Sequence, residues 1–374
     1  MSMIDRERLD ARFMELCAID AEPTGERLLA DRLTTLLTEL GFTVQEDDAG
    51  EKIGGSAGNL LARLAGSGPG EPLLFSCHMD RVAPGIGIKP RCDGEYIVSD
   101  GTTVLGADDV SGLAAVLEGL TAIRERQLPH PPIEIVFTVA EELALLGSRH
   151  FATERLTARC GFILDASGPV GEIVVQAPEQ VKINAVFHGR SAHAGFAPEQ
   201  GLSAIQLAAT AIGRMTLLRI DAETTANIGS IHAAGPTNIV ADRCELQAEA
   251  RSLDPAKLQA QVAGMLDAME GAAKEQGGWV DINLVSCYQA YRLAEEAAPV
   301  QRAARAGRRL GLPVRCKATG GGSDANIFNH RGIPTVVLSC GYEKVHTTEE
   351  RISRQQLALL AEWVVAIIAD GAES

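Results

Sequence analysis

The strongest constraint in this 374-residue chain is a set of short, unbroken apolar runs. PLLFSC (72–77), IEIVFTVA (133–140), GFILDA (161–166) and TVVLS (335–339) scarcely alternate between apolar and polar residues. A strand of that kind has no face to leave in water, so both faces must be covered. Between the runs lie segments with apolar residues at three-to-four spacing. TGERLLADRLTTLLTELG has a Thr start and Gly41 as a stop, and GLAAVLEGLTAIRE (112–125) is similar. Strands alternating with helices predict an α/β fold, a parallel-rich sheet with helices on both faces.

Near residue 180 the pattern changes. VKINAVFHG alternates, as a sheet with one solvated face does. SAIQLAATAIGRM reads as a helix, TTANIGSIH and NIVADRCELQAEARS as alternating strands, PAKLQAQVAGMLDAMEGAAKEQG as a helix and WVDINLVSCYQA as a strand. The order β-α-β-β-α-β is the ferredoxin-like signature. Residues 179–291 are therefore expected to form a small α+β domain, inserted into a discontinuous domain of residues 1–178 and 292–374.

Charge removes two classes of partner. A formal net charge of −15 argues against nucleic acid, whose phosphates need Lys and Arg, and against an anionic membrane surface. No apolar stretch has the length of a membrane-spanning helix, and the charged start MSMIDRERLDARFMEL is not a signal peptide. The eight cysteines are scattered and form no C-x-x-C pair, which fits reduced thiols and a cytoplasmic location.

Polar clusters sit where apolar runs end, the place where open α/β sheets bind ligands. SCHMD supplies His78 and Asp80, which face one side of an extended backbone. One would bind a metal while the other steadies it, or both cap a strand. LGADDVSG supplies Asp108 and Asp109 before a helix, where a helix cap accounts for one acid more easily than for both. FTVAEELALLGS supplies Glu141 and Glu142, one to ligate and one to act as base, with a helix start as the alternative. FILDASG ends on Asp165, and GYEKVHTTEE places His346 in a loop before the last helix. Three carboxylates and two imidazoles, with no thiolate, suit a pair of divalent ions, Zn first and Co or Mn as alternatives.

These motifs, in this order, resemble the aminoacylase/carboxypeptidase G/peptidase T family of dizinc metallopeptidases. The resemblance covers nearly the whole chain and includes GRSAHAGFAPEQGLSAI in the insert. It implies a zinc-peptidase-like mixed sheet with the ferredoxin-like insert as a lid or dimerisation domain. It implies Asp108 as the carboxylate shared by two ions. His78 and Asp165 complete one site, and Glu142 and His346 the other. Asp80 orients His78, and Glu141 is the general base for water activated between the ions. A cis peptide is implied between Asp108 and Asp109. In the insert, the resemblance implies His193 as a donor to the developing oxyanion, Arg251 as the grip on a substrate carboxylate, and Asn238 as a substrate contact. The alternatives are a loop His, a surface Arg and a turn Asn. Val110 departs from the family, where many relatives have Lys.

Within the family, Asp at the position of Asp165, together with the G-A-D-D run, is similar to the peptidase T branch, which releases N-terminal residues from tripeptides. A carboxypeptidase or N-acyl-amino-acid hydrolase is the alternative enzyme. A metal or amino-acid binding protein without catalysis is the alternative of another class. The expected partner is a short peptide, and the chain is expected to be a monomer or a homodimer.

Overall fold

In the computed structural model, which describes residues 3–370, the four apolar runs become four neighbouring parallel strands. They lie in the order Ile133–Thr138, Leu73–His78, Gly161–Ala166 and Thr335–Ser339. Every residue of the first, second and fourth is buried, so both faces are indeed covered. Antiparallel strands extend the sheet at either side, Leu60–Leu64 next to Ile133–Thr138 and Glu172–Ala177 next to Thr335–Ser339. The result is a nine-stranded mixed sheet with a parallel centre.

The helix Ala107–Glu125 presses on two of the central strands, Leu73–His78 and Gly161–Ala166. Gly112 permits this approach. A Cβ there would lie 2.6 Å from the Leu164 carbonyl oxygen and 2.7 Å from Cys77 Sγ. The same helix packs against Arg6–Cys17 and Arg354–Ala369. A separate four-stranded sheet includes the antiparallel pair Tyr342–Glu343 and Arg351–Ser353, and the loop between them carries His346. Among the described residues no helix is long and apolar enough to cross a membrane.

Contacts divide the chain into two units. The smaller holds Ala177–Tyr291 and Thr319–Gly322. Gly322 meets the ring of Tyr288 so closely that any side chain would collide with it. The smaller unit has a five-stranded antiparallel sheet. Its four long strands lie in the order Thr224–His232, Arg243–Ser252, Glu179–His188 and Trp279–Tyr288. In chain order this is 2-3-1-4, reached by a β-α-β-β-α-β path. Ile183, Ala185 and Phe187 are buried in a core with residues of helices Ala204–Arg214 and Pro255–Glu275. The residues between them point the other way, so one face stays solvated. One strand starts later than its pattern suggests, at Arg243 rather than Asn238. Residues 238–240 instead pair with the 192–194 loop, through Ala194 N–H to Asn238 O and Val240 N–H to Ala192 O, both at 2.9 Å.

Candidate metal centre

The parallel strands end at one level, so the residues at and just past their ends meet. His78 closes its strand opposite Thr138. Ser76 pairs with Ile163, and two residues further this register sets Asp165 beside His78. His78 Nε2 lies 3.0 Å from Asp108 Oδ1 and 3.7 Å from Asp165 Oδ1. Its Nδ1 lies 2.8 Å from the Asp80 carbonyl oxygen. A carbonyl can only accept. In the neutral ring Nδ1 therefore keeps the proton, and the Nε2 lone pair faces the two carboxylates.

The second oxygen of Asp108 looks elsewhere. Asp108 Oδ2 is 3.5 Å from His346 Nε2, which in turn lies 3.0 Å from Glu142 Oε1. One carboxylate thus offers an oxygen to each of two groups, His78 with Asp165 and His346 with Glu142. In both groups, one donor atom from each residue falls within 4.8 Å of the others. His78, Glu141 and Glu142 form a third such set.

The two acid pairs sit in different local structures. At the second pair, Asp109 does the capping, its Oδ1 accepting the Gly112 N–H at 3.2 Å, while Asp108 turns into the cluster. The two have non-helical backbone angles, and the peptide between them is cis. At the third pair the strand stops at Thr138 and a short 3-10 turn, Glu141–Leu143, follows. The Asp80 carboxylate accepts the N–H groups of Glu141 at 2.9 Å and Glu142 at 3.1 Å. Asp80 therefore fixes both sides of the cluster, His78 through its carbonyl and the two glutamates through its carboxylate.

Sequence patterns did not mark Glu350 or Tyr342, whereas GGGSD (320–324), which holds Asp324, resembles a family loop at the site. Glu350 is buried and accepts three backbone N–H groups from the turn before Asp109. Tyr342 Oη lies 3.5 Å from Asp165 Oδ1. Asp324 is buried in the GGGSD segment and accepts the Thr138 hydroxyl at 2.5 Å.

So many buried acids raise one another's affinity for protons. Burial pushes Asp165 up to about 8, and the neighbouring Asp108 adds to this. Burial also lifts Glu141 well above the usual carboxylate range, with Asp165 reinforcing it. Burial works against ionised Asp108, yet hydrogen bonds from His346 and His78 hold it below that range. The bond to Asp108, then that to Glu142, raises His346 to about 10. His78 is raised although its burial opposes this, through bonds to Asp108 and Asp165. The site thus collects positive charge from protons on its histidines. Divalent cations would supply the same compensation at closer range, and nitrogen and carboxylate oxygen are the donors such ions take. The residues fit a metal pair.

His193, Asn238 and Arg251 belong to the smaller unit. His193 is exposed, and its Nδ1 accepts the N–H groups of Gly195 at 3.2 Å and Phe196 at 3.0 Å. In the neutral ring Nε2 therefore carries the hydrogen and can donate it. Asn238 is also exposed, in the segment that pairs with the His193 loop. Arg251 is partly buried and faces Glu249, through Nε to Oε1 at 2.9 Å and Nη2 to Oε2 at 3.1 Å.

Residues 74–370 match Peptidase family M20/M25/M40. Uncharacterized protein YqjE of Bacillus subtilis is 42% identical over 371 residues, 99% of this chain and 100% of that one. Among solved structures, aminopeptidase PepT from Bacillus cereus is 48% identical, with a TM-score of 0.89 over 99% of this chain and 100% of the other. A tripeptidase from Staphylococcus aureus is 44% identical, with a TM-score of 0.94 over 100% of both chains. The chain belongs to peptidase family M20/M25/M40, and it is a metallopeptidase of mixed α/β fold.

Proposed function

We propose that this metallopeptidase is a dinuclear aminopeptidase that releases the N-terminal residue of short peptides, tripeptides foremost. The observation that carries this reading is the double exposure of Asp108, with one oxygen towards His78 and the other towards His346. Zn is the first choice for the pair, with Co or Mn as substitutes. In this reading His78 and Asp165 hold one ion, Glu142 and His346 the other, and Asp108 is shared. The likeness to the Bacillus cereus aminopeptidase and the Staphylococcus aureus tripeptidase, both above 40% identity, supports the branch.

When bound, the ions polarise the scissile carbonyl and acidify the attacking water. Glu141 takes the proton of that water and returns it to the leaving amine. Glu141 suits the task because its carboxylate oxygen lies near a ring nitrogen of His78 and an oxygen of Glu142, and its environment already favours the protonated form. His193 Nε2–H serves as a donor to the oxygen that gains charge. Arg251 trades its bidentate pair with Glu249 for the peptide's terminal carboxylate, with Asn238 as a further contact. The compartment implied is the reducing cytoplasm, since all eight cysteines are free.

Hydrolysis of Ala-Ala-Ala and of its N-acetylated form, with added Zn, Co or Mn, tests the reading. The free-amine peptide is expected to be cleaved faster. Faster cleavage of the blocked peptide would reassign the enzyme to N-acyl substrates. Metal binding without cleavage of either would leave only a binding protein.

A further inference from the structure

The loop that carries His346 leads directly to Glu350, which turns into the protein. Glu350 is 2% exposed, whereas its neighbour Glu349 lies at the surface, paired with Lys344. The Glu350 carboxylate reaches the turn that delivers Asp108. Its Oε2 accepts the N–H groups of Leu105 at 2.9 Å and Gly106 at 2.7 Å, and its Oε1 accepts that of Asp108 at 3.1 Å. All three donors are main-chain groups, so Glu350 holds the path of the backbone rather than one side chain. From another direction the same turn rests on the buried Arg81, whose Cδ lies 3.0 Å from where a Cβ on Gly106 would stand.

The two segments that must meet at Asp108 Oδ2 and His346 Nε2 therefore share an anchor. We propose that Glu350 is a positioning residue that sets the spacing between the two halves of the cluster, by fixing the Asp108 backbone so that its second oxygen faces His346 and Glu142. The proposal rests on the dinuclear reading. Both oxygens of Glu350 are taken up by main-chain N–H groups. It acts through Asp108.

Replacement by glutamine separates this role from bulk stability. The amide oxygen of Glu350→Gln can still accept from Leu105 and Gly106. Its NH2 group then confronts the Asp108 N–H, donor against donor. The side chain keeps its volume, and the anchor of Asp108 is lost together with the charge that faces Arg81.

The test loads wild type and Glu350→Gln with cobalt. It reads the ions bound per chain, the affinity for each ion, and the magnetic coupling between them by electron paramagnetic resonance. The wild type is expected to hold two coupled ions. The variant is expected to bind the first normally and the second on the order of ten- to a hundredfold more weakly, as outer-sphere changes do. Coupling should be lost, and kcat should fall with KM unchanged. Second-ion affinity and coupling equal to wild type overturn the proposal. A wild type that holds one ion or none refutes the dinuclear reading itself, a distinct result that takes the proposal with it. If the variant does not fold, amide exchange in the metal-free wild type decides. Slow exchange at Leu105, Gly106 and Asp108 supports the anchor, and exchange that slows only on adding metal overturns it.

Discussion

The two large sheets place their polar residues in opposite ways. In the nine-stranded sheet the central strands are buried throughout, and polar groups gather at their carboxyl ends. There the side chains of His78, Asp165, Glu142 and Asp108 are 2%, 10%, 12% and 13% exposed. In the five-stranded sheet one whole face is solvated, and His193 and Asn238 stand exposed on loops beside it. Rigid strands meeting at one level can hold several donors within a few ångströms. Of the cluster residues only His346 comes from an exposed loop, its side chain 49% exposed, and loops of that kind leave donors free to meet a ligand. On the reading proposed above, ion binding and proton transfer belong to the larger unit and substrate recognition to the smaller.

Removal of the base should produce the largest effect. Glu141→Gln is expected to lower kcat by about 10²–10⁴-fold, the usual worth of a positioned acid–base group, while metal content by atomic absorption stays at wild type. Loss of metal along with activity would move Glu141 from base to ligand. Next comes His193→Ala in the smaller unit, expected to lower kcat by about 10²–10³-fold with the metal undisturbed. An unchanged kcat would return His193 to an ordinary loop residue. Arg251→Ala should act on binding, raising KM for peptides with a free terminal carboxylate by about 10–100-fold, the strength of a charge-assisted bond. Peptides ending in an amide should hardly respond, and equal effects on both would remove Arg251 from substrate recognition.

The smallest effect is graded and concerns the larger unit. In the metal-free protein His346 is raised to about 10 and Asp165 to about 8, so both hold protons at neutral pH. Ions must displace those protons, so metal affinity should rise with pH, by about tenfold per unit for each proton released. Calorimetry in buffers of different ionisation enthalpy counts the protons. Affinity that stays flat between pH 6 and about 8 would show that neither group is a ligand.

The parts that were legible in the sequence are those that repeat or punctuate. Buried runs named the central strands, and the strand–helix order of the insert named its topology. An acid or imidazole directly after such a run, as at His78 and Asp165, stands out because nothing else there is polar. Glu350 could not be found this way. It neighbours Glu349 in a charged stretch, one buried and one exposed, and no periodicity separates them. What distinguishes it is a turn 242–245 residues away in the chain, and a single sequence does not reveal that pairing. Arg251 was legible as a cation, and Glu249, two residues earlier on the same strand, faces it from the same side. Asp108 and Asp109 show the limit most clearly. Composition allowed either acid to cap the helix, and only backbone geometry separates the cap from the cluster.

The strand register carries one more consequence. The five clustered side chains come from segments spread between residues 78 and 346: the ladder of the large sheet aligns His78 with Asp165, while a helix start, a 3-10 turn and a loop of the four-stranded sheet bring Asp108, Glu142 and His346. No short stretch of chain can assemble the cluster by itself, so on the dinuclear reading the ions would bind a scaffold already built, unlike those that nucleate a small zinc-dependent fold. Stripping them with a chelator should silence the enzyme and leave its architecture standing.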